Sequence, residues 1–296
     1  MTDVRREVFG DFSVLHRPAS GGDGVTVHFA HATGFNAETY RALLASLDPS
    51  LDVFAMDARG HGMSTAAGDP EKLRSWAPYR RDLERFVETL RRPAVLAGHS
   101  MGGTVSLELA AARPDLVAGL VLIDPVILPP RQIPLYFLAR LLGLSLRLVP
   151  IAQAAARRRM EFPSKEAAVE NYVGKGAFKT WPREWIEAYI DGGAIATGRG
   201  TVRLRCDRAW ESKTFATATV NPYGAIRKLR CPVTLIARAD DGPPFTEAAR
   251  EAFMKMRPDT RLLILEDASH FMPMEHPEVA RAEIERMAGA ARSELG

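Results

Sequence analysis

Leu96-Ala-Gly98-His-Ser100-Met-Gly102-Gly103 is the stretch on which the reading of this chain turns. Before it, Pro93-Ala-Val-Leu-Ala97 is a short apolar run that predicts a buried strand, and after it residues 104–112 read as a helix. Ser100 therefore falls on a tight strand-to-helix turn. A Gly-x-Ser-x-Gly at such a turn strains the serine backbone, and Gly98 and Gly102 lack the side chains that would collide where the chain doubles back. The hydroxyl is pushed out at the carboxyl edge of a sheet. Beneath it, a helix N-terminus points N–H groups at any negative charge that forms nearby.

Strands and helices alternate on both sides of this turn. Toward the N-terminus, residues 7–15 predict a hairpin turning at Gly10-Asp11, and residues 25–30 a buried strand. Asn36 can cap a helix through Tyr40, Leu43, Leu44 and Leu47, and residues 51–56 form the next strand, ending in Asp57-Ala-Arg-Gly60-His-Gly62. From Trp76 the positions Tyr79, Leu83, Phe86, Val87 and Leu90 recur at helical spacing. Residues 120–124 make a strand after the Ser100 helix. Further on, residues 233–237 and 262–265 read as strands, with a helix from about Thr246 to Met256 between them. A last helix opens at Pro277. This rhythm predicts an α/β fold, a mostly parallel sheet covered by helices on both faces.

Between Pro125 and Cys231 the alternation stops, and the segment reads as helical and loop-like. It holds three of the four tryptophans, Trp181, Trp185 and Trp210, with Phe162, Tyr172, Phe178 and Tyr189. The division expected is a core of residues 1–125 and 230–296, and a mainly helical insertion over residues 126–229, after the sixth strand, packed over one edge of the sheet. Most of these aromatics are expected to form the insertion's own core, and some to line a pocket.

Composition narrows the function. A chain of 296 residues, 46% hydrophobic and 25% charged, is a globular protein with room for one large domain and an insertion, or for two domains. The net charge of +3 is small and dispersed, with Arg157-Arg158-Arg159 the only tight basic run, which argues against nucleic acid as a partner. Cys206 and Cys231 match neither a disulfide framework nor a zinc pattern, so no metal or cofactor is expected, and a reducing compartment is. No apolar signal region follows the first residues, which points to the cytoplasm. Residues 135–156 are apolar but interrupted by Arg140, Arg147 and Pro150, so no stable membrane span is predicted.

A serine hydroxyl needs a base within hydrogen-bond reach, itself oriented by a third group. Among the seven histidines, His270 has the best context, just past the strand of residues 262–265 and at the same sheet edge as Ser100. His276 reads as a helix-cap residue. His28 and His31 would sit on opposite faces of a strand, which argues against a metal pair. His99 should point away from its neighbour's hydroxyl and serve packing, and His16 and His61 give no signal.

Gly98-His-Ser-Met-Gly102, the Asp57–Gly62 turn, His31-Ala-Thr-Gly-Phe35 and Ser269-His270, in this order, resemble the α/β-hydrolase superfamily over roughly residues 8–125 and 230–292. The insertion corresponds to the cap or lid that many members carry. The resemblance implies a Ser–His–acid hydrolase with catalytic residues Ser100 and His270. It implies an oxyanion hole made by the Met101 N–H and, by position, that of Thr33, with Gly34 and Phe35 as alternatives because Ala32 replaces the usual glycine. For the acid, counting without gaps from Cys231-Pro232 points to Asp241, with Asp240 one step away. Some members carry the acid after the strand that follows the nucleophile helix, where this chain has Asp124. All three remain candidates at this point.

The function expected is hydrolysis of an ester-type acyl bond, as in a carboxylesterase, thioesterase or lactonase, through an acyl-enzyme on Ser100. Its partner is a small-molecule substrate whose acyl group the aromatic insertion suggests to be apolar or aromatic. Carbon–carbon bond hydrolysis by the same triad, or a non-catalytic protein that binds a small ligand, are the alternatives. A third reading takes residues 135–149 as an amphipathic lid helix that docks on membranes. Neither the natural substrate nor the oligomeric state can be read from the residues.

Overall fold

The computed structural model describes residues 3–22, 24–66, 68–90, 93–219 and 221–295. In chain order the first part contains β1 (Arg5–Phe9), β2 (Phe12–Arg17), β3 (Thr26–Ala30), α1 (Arg41–Ser46), β4 (Asp52–Met56) and α2 (Ala77–Val87). Then come β5 (Ala94–His99), α3 (Met101–Ala112) and β6 (Val117–Ile123). The insertion begins with α4 (Ile133–Leu141), α5 (Ser145–Leu148), α6 (Pro150–Ala156), β7 (Glu161–Phe162) and α7 (Lys165–Tyr172). It continues with α8 (Arg183–Gly193), β8 (Ala194–Ala196), β9 (Val202–Leu204), α9 (Arg208–Ala216) and α10 (Tyr223–Ile226). The chain closes with β10 (Val233–Arg238), α11 (Glu247–Met256), β11 (Arg261–Leu265), α12 (Met272–Glu275) and α13 (Pro277–Leu295).

Eight strands form one sheet in the order β1-β2-β4-β3-β5-β6-β10-β11. β1 and β2 pair antiparallel, as does β2 with β4, and every pair from β4 to β11 is parallel. Every residue of β3, β5 and β10 is buried. That is why they read as continuous apolar runs, the mark of strands covered on both faces. Val27, Val95 and Val121 pack with Leu43, Ile284 and Met287 of α1 and α13. Their neighbours Leu96, Leu120 and Leu122 face the other way, toward Leu83, Val105 and Phe253 of α2, α3 and α11. The two-residue period thus divides one run between two cores.

Two local departures from the sequence expectation have simple causes. The Asn36 side chain does cap, accepting from Thr39 N at 3.1 Å, but the turn it opens, Ala37–Tyr40, is 3-10 in form and α1 follows it. The insertion also holds an antiparallel sheet, β7-β9-β8. Its strands have two or three residues, too few to display a two-residue period.

Candidate active site

Ser100 sits between β5 and α3 with φ 55° and ψ −116°. Among the described residues only one other non-glycine has a positive φ, Asp124 at 40°, directly after β6. Such backbone costs on the order of 1–3 kcal/mol and persists where surrounding structure enforces it. Here the sheet does so: Ser100 N–H donates to Ile123 O at 2.9 Å, and Asp124 N–H to Ile236 O at 2.8 Å. A side chain on Gly98 would be driven into the Gly102 backbone, and one on Gly102 into the Ala30 carbonyl. Because β5 and β6 pair in parallel with His99 opposite Ile123, Ser100 and Asp124 leave neighbouring strands side by side.

His270 follows β11 and turns its ring to this edge. Its Nδ1 lies 2.6 Å from Asp124 Oδ2, and the Asp124 side chain has no solvent exposure. A carboxylate oxygen can only accept, so Nδ1 is the donor in this contact and Nε2 is left free of it. Arg238, at the end of β10, places Nε 3.3 Å from the same Oδ2 and is itself almost fully buried. The guanidinium also reaches Asp240 and the Gly242 and Pro243 carbonyls, which fixes the strand-end turn.

The expectation that Asp241 stands behind His270 is therefore corrected in the geometry: that position belongs to Asp124. Asp241 is exposed and accepts from Glu247 N at 2.6 Å, at the start of α11. Asp240 is exposed and paired with Arg238. Position counted from a strand says nothing about where the following loop bends. The turn after β10 is tied back by Arg238, away from the imidazole, whereas the first residue after β6 has no freedom to leave the sheet edge.

His99 carries more than the packing expected of it. Its Nε2 donates to the His270 backbone carbonyl at 2.7 Å, and its Nδ1 accepts from the Tyr40 hydroxyl, also at 2.7 Å. Tyr40 in turn accepts from Ala32 N at 3.3 Å. Burial holds His99 well below the usual histidine range, so the ring is neutral, as this relay requires. The rings of His99 and His270 are 4.8 Å apart, which sets His270 beside the residue preceding Ser100. Ser100 Oγ and His270 Nε2 are not hydrogen bonded to each other, a contact that commonly forms only with substrate in place.

The turn after β3 is held by His31. Its Nδ1 donates to Ala32 O at 2.7 Å and its Nε2 accepts from Ala58 N at 2.9 Å, which pins this turn to the one after β4. The buried Asp57 carboxylate anchors that second turn, accepting from Ala37 N at 2.7 Å, Met63 N at 2.8 Å and Arg6 at 3.0 Å. Met101 opens α3, so its N–H belongs to the first helical turn and has no intrahelical acceptor. Thr33 is buried in the pinned turn, and its N–H donates to no group among the described residues.

Aromatic rings from the segment between β6 and β10 pack against this edge. Phe35, in the turn after β3, lies 5.2 Å from Trp181 and 6.0 Å from Phe271, the residue next to His270. Phe178 and Tyr189 join the same cluster, and the Trp181 indole N–H is buried with no acceptor. Trp210 serves elsewhere: its indole N–H donates to Arg59 O at 3.0 Å, and a side chain on Gly60 would collide with its ring.

The other histidines hold structure. His28 accepts from Met56 N at 3.3 Å, His16 bridges Glu7 and Asp52, and His61 is bonded to Arg59 O. His276 follows α12 at its C-terminal cap position and directly precedes α13. No group of histidine, cysteine, aspartate or glutamate side chains among the described residues could hold a metal ion. No described helix is long and apolar enough to cross a membrane.

A strained serine on a strand-to-helix elbow, with an acid-backed imidazole beside it at the carboxyl edge of a parallel sheet, defines an α/β-type hydrolase scaffold. The chain belongs to the alpha/beta hydrolase family, whose pattern it matches over residues 29–283. It is 26% identical to 2-(acetamidomethylene)succinate hydrolase from Mesorhizobium japonicum over 87% of this chain and 86% of that protein. Human monoglyceride lipase is 36% identical over a shorter stretch, 34% of this chain and 35% of the lipase. In structure, the chain resembles the crystal structure of E-2-(acetamidomethylene)succinate hydrolase with a TM-score of 0.78 at 24% identity, covering 97% and 99% of the two chains. A Mycobacterium tuberculosis esterase superposes with a TM-score of 0.71 at 23% identity, covering 98% and 91%.

Proposed function

We propose that this protein is a serine hydrolase cleaving an ester-type acyl bond, with Ser100 as nucleophile, His270 as general base and acid, and Asp124 as the carboxylate that orients it. The observation that carries the reading is the 2.6 Å contact between Asp124 Oδ2 and His270 Nδ1, made beside the strained Ser100. In this reading His270 Nε2 takes the Ser100 proton as Oγ attacks the carbonyl. The developing oxyanion rests on the N–H groups of Met101 and Thr33. His270 then protonates the leaving group, and water, activated by the same ring, releases the acid product. Asp124 orients the ring through Nδ1 and stabilises the imidazolium that forms.

The segment of residues 126–229 acts as a cap over residues 1–125 and 230–296. Its aromatic cluster with Phe35 and Phe271 favours an apolar or aromatic acyl group. A serine nucleophile suits acyl transfer, in which the intermediate is an ester to the enzyme's own hydroxyl.

The test is a panel of nitrophenyl esters of increasing acyl bulk, run beside Ser100→Ala, with fluorophosphonate labelling read by mass spectrometry. Turnover lost in Ser100→Ala and an adduct on Ser100 are expected. No adduct at high probe concentration would replace the reading with that of a ligand-binding protein. Since one relative is named for an acetamidomethylene succinate, the panel includes acyl amides and carbon–carbon substrates, and faster turnover of either would displace the ester assignment.

A further inference from the structure

Among the described residues eleven large hydrophobic side chains are exposed, and eight of them lie between Leu135 and Ile151. Leu141 is 84% exposed, Leu135 71%, Leu142 62% and Leu148 60%. On α4 the inward positions are taken by Ile133, Tyr136 and Ala139, with the Tyr136 hydroxyl donating to Ala218 O at 3.1 Å. The outward positions are leucine and phenylalanine where a solvated helix would carry charge. A contiguous apolar surface of this kind marks a site of contact.

The charge around it has one sign. Between Asp124 and Glu161 the sequence holds six arginines and no acidic residue. Arg158 turns inward to Glu211, while Arg131, Arg147 and Arg157 are exposed. Two grooves meet at Arg140. One, of about 430 Å³, is lined by Phe137 of the patch with Arg80 and Lys228. The other, of about 570 Å³, is lined by Leu146 of the patch with Arg74 and Arg208. Each groove holds a single acidic residue: Glu108 in the first and Glu71 in the second. Burial pushes the Glu108 carboxyl up to about 7, and Glu71 is paired with Lys213.

We infer that the outer face of α4–α6 docks on a lipid surface bearing anionic headgroups. Leu135, Leu138, Leu141, Leu142, Leu148 and Ile151 enter the acyl boundary, and Arg131, Arg140 and Arg147 meet the headgroups. The combination of a wide apolar face and arginines without counter-charge matches an interfacial element lying in the membrane plane, and α4 is too short to span one. A second copy of this chain fits the face less well, because a two-fold contact would set the same uncompensated arginines opposite each other.

The experiment uses the full chain and reads binding, not activity, so it is independent of the esterase reading. Sedimentation with vesicles of phosphatidylcholine alone is compared with vesicles containing about one third phosphatidylglycerol, where each basic residue near the surface adds about 1 kcal/mol, some fivefold. Binding to the anionic vesicles at least about tenfold tighter than to the neutral ones is expected. It should weaken at about 1 M salt, where the screening length falls to about 3 Å. The doubly substituted Leu138→Asp, Leu141→Asp chain, altered only at exposed positions, should lose at least about tenfold in affinity. Arg131→Glu with Arg147→Glu should remove the preference for anionic vesicles. The inference is overturned if the unsubstituted chain binds neither vesicle, or if it binds both equally. It is also overturned if analytical ultracentrifugation finds a dimer that Leu141→Asp disperses, because the face is then covered by a second copy.

Discussion

Asp124 and His270, separated by 146 positions in the chain, meet in a 2.6 Å hydrogen bond at the carboxyl edge of the sheet. The aspartate is fully buried, and its backbone is held at φ 40° directly after β6. If that contact orients the catalytic imidazole, Asp124→Asn should lower kcat by roughly three to four orders of magnitude while thermal unfolding stays close to that of the parent. Asp241→Asn and Asp240→Asn, altered at exposed turn positions, should each retain activity within about threefold. Ester hydrolysis by the three purified variants checks this, and a large loss in Asp241→Asn alone would return the acid to the turn after β10.

His99 ties Tyr40 to the His270 carbonyl, and this relay should show in both stability and rate. His99→Phe keeps the ring volume but leaves the Tyr40 hydroxyl and the His270 carbonyl without these partners, each costing about 1–3 kcal/mol, so unfolding in urea should shift by about 2–6 kcal/mol. The loss of a fixed His270 backbone should lower kcat by about tenfold with KM little changed. Tyr40→Phe leaves the His270 carbonyl bond in place but unpairs His99 Nδ1 and the Ala32 N–H, and should cost about 2 kcal/mol or more. An unchanged kcat in His99→Phe would confine the relay to folding.

Gly102 and Gly289 make a matched pair. A methyl on Gly102 meets the Ala30 backbone in a strand that cannot yield, whereas one on Gly289, within α13, meets nothing within 4 Å. Gly102→Ala should cost about 3 kcal/mol or more, or give no soluble protein. Gly289→Ala should stabilise by about 0.5–1 kcal/mol through helix propensity. Urea denaturation of both variants checks the sign as well as the size.

Acid should destabilise this fold early. Burial lowers His28 to about 3 and His31 and His61 to about 4, and pushes His99 well below the usual value of 6.5. Between pH 6.5 and 4 the unfolded chain therefore binds protons on these rings that the native chain does not. Stability is fully present above 6.5 and falls with pH, by about 1.4 kcal/mol per unit for each such histidine. Melting temperature measured from pH 7.5 down to 5 should drop steadily, and a flat profile would mean that the rings are protonated in the native state.

Much of this architecture was legible in the residues themselves. Apolar runs of the right length marked the parallel strands, and Gly98 and Gly102 around Ser100 marked the elbow, because those glycines answer a local collision that any such turn must avoid. His270 stood out by its place after the last strand. Local chemistry of this kind is encoded within a few positions, so sequence alone determines it.

The acid, the relay and the small sheet were a different matter. Asp124, Asp240 and Asp241 each follow a strand, and nothing within a few residues distinguishes them. Only the pairing of β6 with β5 and β10, and the turn that Arg238 ties back, decides which carboxylate reaches the ring. His99 looked like packing because its partners, Tyr40 and the His270 carbonyl, lie 59 and 171 positions away. Residues 135–149 already read as an amphipathic lid in the sequence, but only the tertiary structure decides that eight apolar side chains between Leu135 and Ile151 stay exposed while Ile133, Tyr136 and Ala139 turn inward. Contacts between positions far apart in the chain have no local signature, so the tertiary structure alone determines them.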